Sequence, residues 1–204
     1  MKTLSIPLLL GVLLVAGPLG AQDNISKVNG SISAEPGQRH GTLDTVNGGI
    51  RVGEGVETGG IDTVNGGVTV ADRAHTGSIE TVNGSVRLGR EVIARGDVST
   101  VNGSIFSDHG SQIEGGVETV NGGIGLVNSR VRKDVETVNG DITVGIGSQV
   151  GGGLHVRKPN FSVSLTASRK PRVIIGPNAV VEGPLLFERE VVLYVHRTAR
   201  VGPV

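Results

Sequence analysis

The chain of 204 residues contains no cysteine and no tryptophan, a single tyrosine and three phenylalanines. Without cysteine there is no structural disulfide and no N-terminal cysteine for lipid attachment, so in an oxidising compartment stability has to come from packing and backbone pairing. The four aromatics, Phe106, Phe161, Phe187 and Tyr194, are too few for a sugar-binding platform of the kind a polysaccharide-cleaving enzyme uses beside its paired acids. Formal net charge is zero, which removes any global attraction to nucleic acid. The basic cluster Arg169, Lys170 and Arg172 also lacks the interleaved aromatics that grip single strands. It reads as a solvated loop or as a contact to anionic envelope polymer. No Walker, Rossmann or zinc motif is present, and "GGIDTVNGG" at residues 59–67 has only a superficial likeness to calcium-binding nonapeptides.

What is abundant is glycine, 34 positions, together with Val, Ile and Leu. That mixture favours many short strands joined by tight turns over helices. Val-Asn-Gly occurs seven times, in "KVNGSI" from Lys27 and in copies from Thr45, Thr63, Thr81, Thr100, Thr119 and Thr137, at intervals of 18, 18, 18, 19, 19 and 18 residues. Eighteen residues equal three sides of six, which is one coil of a triangular β-solenoid. Within one copy, Ile79 with Thr81, Val86 with Leu88, Val92 with Ala94 and Val98 with Thr100 are pairs separated by one residue, as alternating strands require. The fold class expected is therefore all-β, a single-stranded triangular β-solenoid of about 18 residues per coil and roughly nine coils.

Asn-Gly tolerates positive φ, so each Val-Asn-Gly is expected to bend the chain at a corner. Stacked corners would let Asn29, Asn47, Asn65, Asn83, Asn102, Asn121 and Asn139 hydrogen-bond along the stack as a structural ladder. Two orientations stay open. Strict alternation turns Thr81 inward and Val82 outward, leaving an apolar valine stripe; hydrophobicity alone turns Val82 inward and leaves a flat Thr-x-Asn array. The hexad arithmetic favours the first.

Four segments are expected. Residues 1–21 read as a signal peptide, with Lys2, the apolar run "LSIPLLLGVLLVAG" and a small-residue cleavage site after Ala21. Residues 22–152 form the repeat solenoid, and residues 153–172 a basic loop or irregular insertion. Residues 173–204 form terminal coils, because Ile175, Val181, Phe187, Leu193 and Ala199 recur at six, and Val173, Ala179, Leu185 and Val191 precede the first four of these by two. Charge divides along the chain: residues 22–150 carry 10 basic and 16 acidic groups, net −6, and residues 151–204 carry 8 and 3, net +5.

The segment "IGPNAVVEG" at residues 175–183 resembles the hexad coils of bactofilins, the bacterial polymer-forming β-helical proteins, and of hexapeptide-repeat acyltransferases. The "TVNGSI" and "TVNGDI" copies resemble the Gly-rich repeats of bacterial adhesin-type β-solenoid proteins. The resemblance implies a β-solenoid architecture; a structural or adhesive role is expected from the signal-like N-terminus, the repeated corners and the lack of a convergent polar site. Bactofilins are typically cytoplasmic without a cleaved signal, and this chain departs from them there.

Candidate chemistry is sparse. Acyltransfer needs a catalytic histidine, yet His40, His75, His109, His155 and His196 show no His-x-His spacing and no accompanying nucleophile motif. Asp44, Asp62, Glu80, Glu118 and Glu136 recur at one repeat position and should form a row about 4.8 Å per step, repelling unless a cation or partner intervenes. The expectation is a non-enzyme with no cofactor, no metal and no catalytic residue. It would be exported to the periplasm or cell surface and would bind no nucleic acid. After signal cleavage it would not span the membrane. Its partners would be further copies of itself, an envelope polymer or a surface ligand. The alternative is a polysaccharide-active or acyl-transfer enzyme on the same scaffold.

Overall fold

The computed structural model describes residues 23–159 and 169–204; the expected signal peptide and Phe161 lie outside them. The described chain is a parallel β-solenoid of three sheets, each built from one short strand per coil. Two sheets have nine strands and the third has seven, extended at one end by the bridges Arg39 to Glu57 and Glu57 to His75. One coil runs through Ile79–Asn83, Val86–Leu88 and Ile93–Ala94 before re-entering the first sheet at Val98–Asn102.

Register is what makes the core. Along the first sheet Ile61 pairs with Ile79, Ile79 with Val98, Val98 with Val117 and Val117 with Val135. Each strand presents alternate side chains to the interior, so identical repeat positions stack into continuous apolar columns. Ile61, Ile79, Val86, Leu88, Val92 and Ala94 are all buried. Complete burial of one such aliphatic side chain contributes about 1.5–3 kcal/mol relative to exposure, and the columns repeat this coil after coil. The hexad positions continue the stack: Val173, Ile175, Ala179, Val181 and Leu185 are buried, while Phe187, Val191, Leu193 and Ala199 pack against the core from a partly buried position at the end.

The orientation of the repeat follows the alternation. Thr81 is 4% exposed and Val82 40% exposed, and the same holds for Thr45, Thr63 and Thr100 against Val46, Val64 and Val101. An inward hydroxyl needs a partner. Thr81 Oγ1 donates to the Gly66 carbonyl at 2.9 Å, and Thr45, Thr63, Thr100 and Thr119 make the same bond one corner back. The polar atom of the buried threonine thereby ties the strand to the corner of the preceding coil.

The reason for glycine at these corners differs from the expected one. Among the seven Val-Asn-Gly copies only Gly30 has positive φ, and none of the asparagines has it. At Gly48, Gly66, Gly84, Gly103, Gly122 and Gly140 a Cβ would instead collide with the backbone carbonyl of the equivalent glycine one coil earlier. Parallel corners lie one strand spacing apart, and the space between them is filled by peptide groups. Positive φ occurs at the other turn, at Gly55, Arg73, Glu91, Gly110, Asn128, Gly147 and Asn178.

The basic segment interrupts the coil at a corner. Leu154–Val156 is still part of the first sheet, paired to Val135–Thr137 and to Leu185–Phe187, and the chain re-enters the second sheet at Arg172–Ile175. Asp141 anchors the return, accepting from the Arg172 backbone N–H at 2.8 Å and from the Arg169 and Arg172 guanidinium groups at 3.0 and 3.1 Å. Burial raises the Asp141 pKa, but these bonds together outweigh it and hold the carboxyl below its ordinary value. Lys170 is paired with Glu190 at 2.7 Å, so all three cations of the basic cluster are engaged with acids.

Candidate functional site: the ladder face

The outer surface of the first sheet carries three parallel rows along the solenoid axis. The corner row is asparagine. Asn47 Nδ2 donates to Asn29 Oδ1 at 3.0 Å, and the same bond links each copy to its predecessor through Asn65, Asn83, Asn102, Asn121 and Asn139 at 2.9–3.0 Å. Every interior side chain therefore donates once and accepts once along the row. The next coil has Lys158 at the equivalent place, and Arg189, one coil further, reaches back so that its Nη1 donates to Asn139 Oδ1 at 2.9 Å and to the Val138 carbonyl at 3.3 Å. The last acceptor of the row is thus capped by a cation.

Beside the asparagines runs the valine row, Val28, Val46, Val64, Val82 and Val101, and beside that the acids. Strand register places Asp44 against Asp62, Asp62 against Glu80, Glu80 against Ser99, Ser99 against Glu118, Glu118 against Glu136 and Glu136 against His155. Valines and acids border an open groove of about 790 Å³ that runs from Ser26 to Val120. Burial first, and then the negative charges of Glu80 and Asp44, push the Asp62 carboxyl above the ordinary aspartate range. Ser26 relieves the start of the row by donating to Asp44 Oδ2 at 3.0 Å.

The histidines are dispersed. His40 contacts Gln38 at 3.0 Å, His75 Nδ1 lies 4.0 Å from Glu57, His109 contacts Asp108, and His196 Nδ1 contacts Thr198 Oγ1 at 2.9 Å. His155 alone reaches the acid row, where Asp134, Glu136 and His155 bring one ligand-type atom each to within 4.8 Å of one another. The spacing between Glu136 and His155 is one coil, 19 residues, and only the strand register makes them neighbours. A search for short-range ligand motifs misses such a group; stepping by one coil along the acid row finds it.

No helix among the described residues is long and apolar enough to cross a membrane. No family model, no curated protein and no solved structure matches this chain. The architecture itself is a parallel β-solenoid of the kind seen in bacterial adhesin-type and bactofilin-like proteins.

Proposed function

We propose that the chain is an exported, non-enzymatic structural or adhesive element of a bacterial cell envelope, and that the ladder face is its working surface. The observation that carries the reading is the valine row, outward-facing and repeated once per coil beside an acid row on one continuous sheet. Outward valine contributes nothing to the solenoid core, and a contiguous apolar stripe rimmed by charge is the form of an interaction surface. The surface is rigid because every strand beneath it is paired on both sides between the end coils. Such a surface suits repeated weak contacts along an extended partner, where many small contributions add through high local concentration.

Export rests on residues 1–21. The test combines location with chemistry. Cell fractionation should place the chain outside the cytosol, and purified protein should be retained by isolated envelope material, with retention falling when Val64 and Val82 are both replaced by Lys. Recovery in the cytosol would overturn export. Turnover of an envelope polysaccharide or of an acyl donor, lost on Asp62→Asn or His155→Ala, would establish the enzyme reading instead.

A further inference from the structure

We infer that Asp134, Glu136 and His155 form a binding site for a divalent transition-metal ion of the zinc class. Asp134 stands at the corner entering the first sheet, Glu136 on the outer face of Val135–Thr137, and His155 on the neighbouring strand Leu154–Val156 in direct register with Glu136. All three are half-buried on a paired backbone, so their positions are set before any ion arrives.

The distance between Glu136 and His155 fits an ion better than it fits a hydrogen bond. His155 Nδ1 lies 3.3 Å from Glu136 Oε1, and no hydrogen bond joins the two. A strong charge-assisted bond would close to about 2.7–2.9 Å. Two ligands each about 2.1 Å from one ion at a tetrahedral angle are separated by roughly 3.4 Å, which is the spacing present. The third ligand is oriented by the backbone: Asp134 Oδ1 accepts from the Gly153 N–H at 2.7 Å, the outer-sphere contact that metal-binding carboxylates commonly have, with a further lone pair and Oδ2 still available.

Charge also favours a cation. Arg157 Nη2 approaches Glu136 Oε2 at 2.5 Å, but that oxygen is shut off from water and has no hydrogen bond of acceptable geometry. One guanidinium balances one of the two carboxylates. Glu118 stands next to Glu136 in the row, and a second groove of about 340 Å³ opens beside Asp134 and Glu136, giving an ion a route in and room for water to complete its shell. One imidazole with two carboxylates selects zinc-class ions, because magnesium and calcium take oxygen donors almost alone.

The test is calorimetric titration of the purified full-length chain, stripped with chelator, with zinc chloride. One ion per chain should bind with a dissociation constant in the micromolar range or below. His155→Ala and Asp134→Asn should each weaken binding roughly 10-fold or more, while His196→Ala leaves it unchanged. Thermal unfolding gives a second readout: zinc should raise the midpoint of the parent and of His196→Ala but not of His155→Ala. If His155→Ala loses its β-sheet circular dichroism, Glu136→Gln, which keeps the side-chain shape, replaces it. Failure to saturate below about 100 µM, unchanged affinity in His155→Ala or Glu136→Gln, or tighter binding of calcium than zinc would each overturn the site.

Discussion

A methyl group added at Gly84 would run into the Gly66 carbonyl of the previous coil, whereas one added at Gly55 would meet nothing within 4 Å but would sit on a backbone with φ of +66°. The two substitutions therefore fail for different reasons and to different degrees. Gly55→Ala incurs only the left-handed backbone penalty, about 1–2 kcal/mol. Gly84→Ala forces peptide groups apart at a stacked corner and should cost about 3 kcal/mol, the upper end of overpacking effects. Chemical denaturation of both variants checks the order; equal midpoints would mean that stacked corners yield to a methyl group as easily as the open turn does.

At the same scale, Asp62 makes a pH prediction with a definite sign. Its folded pKa is raised, by burial first and then by Glu80 and Asp44, so the folded state holds its proton more tightly than the unfolded chain does. Stability from this group is therefore greatest below the ordinary aspartate value of about 3.9 and falls as pH rises through the raised folded value. Asp62→Asn removes the penalty. It should raise the unfolding midpoint at pH 7, and the gain should vanish near pH 3.5. Asp141 runs the other way, because its folded pKa is lowered: its contribution is present above about 3.9 and is lost as pH falls through the folded value. The difference between Asp62→Asn and the parent, measured across pH, isolates the first effect from the second.

Among the elements, the asparagine row is cooperative in a way a single corner is not. Asn83 donates to Asn65 and accepts from Asn102. Asn83→Ala breaks both bonds in the middle of the row, and each exchanges with water because the row is exposed; about 1–2 kcal/mol in all is expected. Arg189→Ala removes the cap and the bond to the Val138 carbonyl but leaves every bond between asparagines in place, and should cost the row less. Denaturation midpoints ordered parent, Arg189→Ala, Asn83→Ala check this, and the reverse order would show that Arg189 secures the end coil more than the row.

The elements also show what could be read without coordinates. Spacing of 18 or 19 residues with pairs two apart determines sides, corners and the inward identity of Ile79, Val86 and Leu88, and favours Thr81 inward over Val82 without deciding it, because a strand has one periodicity and a coil closes only if three sides agree. The same arithmetic predicts the valine stripe and the acid row. It does not distinguish why glycine follows asparagine, since local φ preference and close approach between coils both demand glycine, and only the stacking of the coils separates them. His155 is legible only in register, because its coil has lost the Val-Asn-Gly marker that would align it. The cap by Arg189 spans 50 residues across an interrupted coil, and no local pattern encodes it.

For the whole molecule, the open choice is between a monomer and copies that associate, and each surface predicts a different response. The end coil has strand edges at Val192–Val195 and Arg200–Val201 with no strand beyond them, whereas the Leu185 N–H of the neighbouring edge donates to the Pro203 carbonyl at 2.8 Å; Tyr194 is 56% and Val195 43% exposed. Charged residues flank these edges, but Glu188, Arg189 and Glu190 are engaged within the chain, with the Lys158 N–H, Asn139 and Lys170 respectively. The ladder face offers the other surface, an apolar stripe bordered by the acid row. Charge supplies the discriminating variable. Residues 22–150 are net −6 and residues 151–204 net +5, so contact of the acidic part of one copy with the basic part of another weakens with salt, while contact through valine does not. We expect weak association of the full-length chain through the ladder face. In sedimentation at rising concentration, Val64→Lys with Val82→Lys should abolish it, Val192→Lys should leave it intact, and added salt up to about 0.5 M should change it little. Loss of association with Val192→Lys alone would transfer the contact to the end coil, steep loss with salt would assign it to the charge division, and a monomer at every concentration would restrict the ladder face to partners other than this chain.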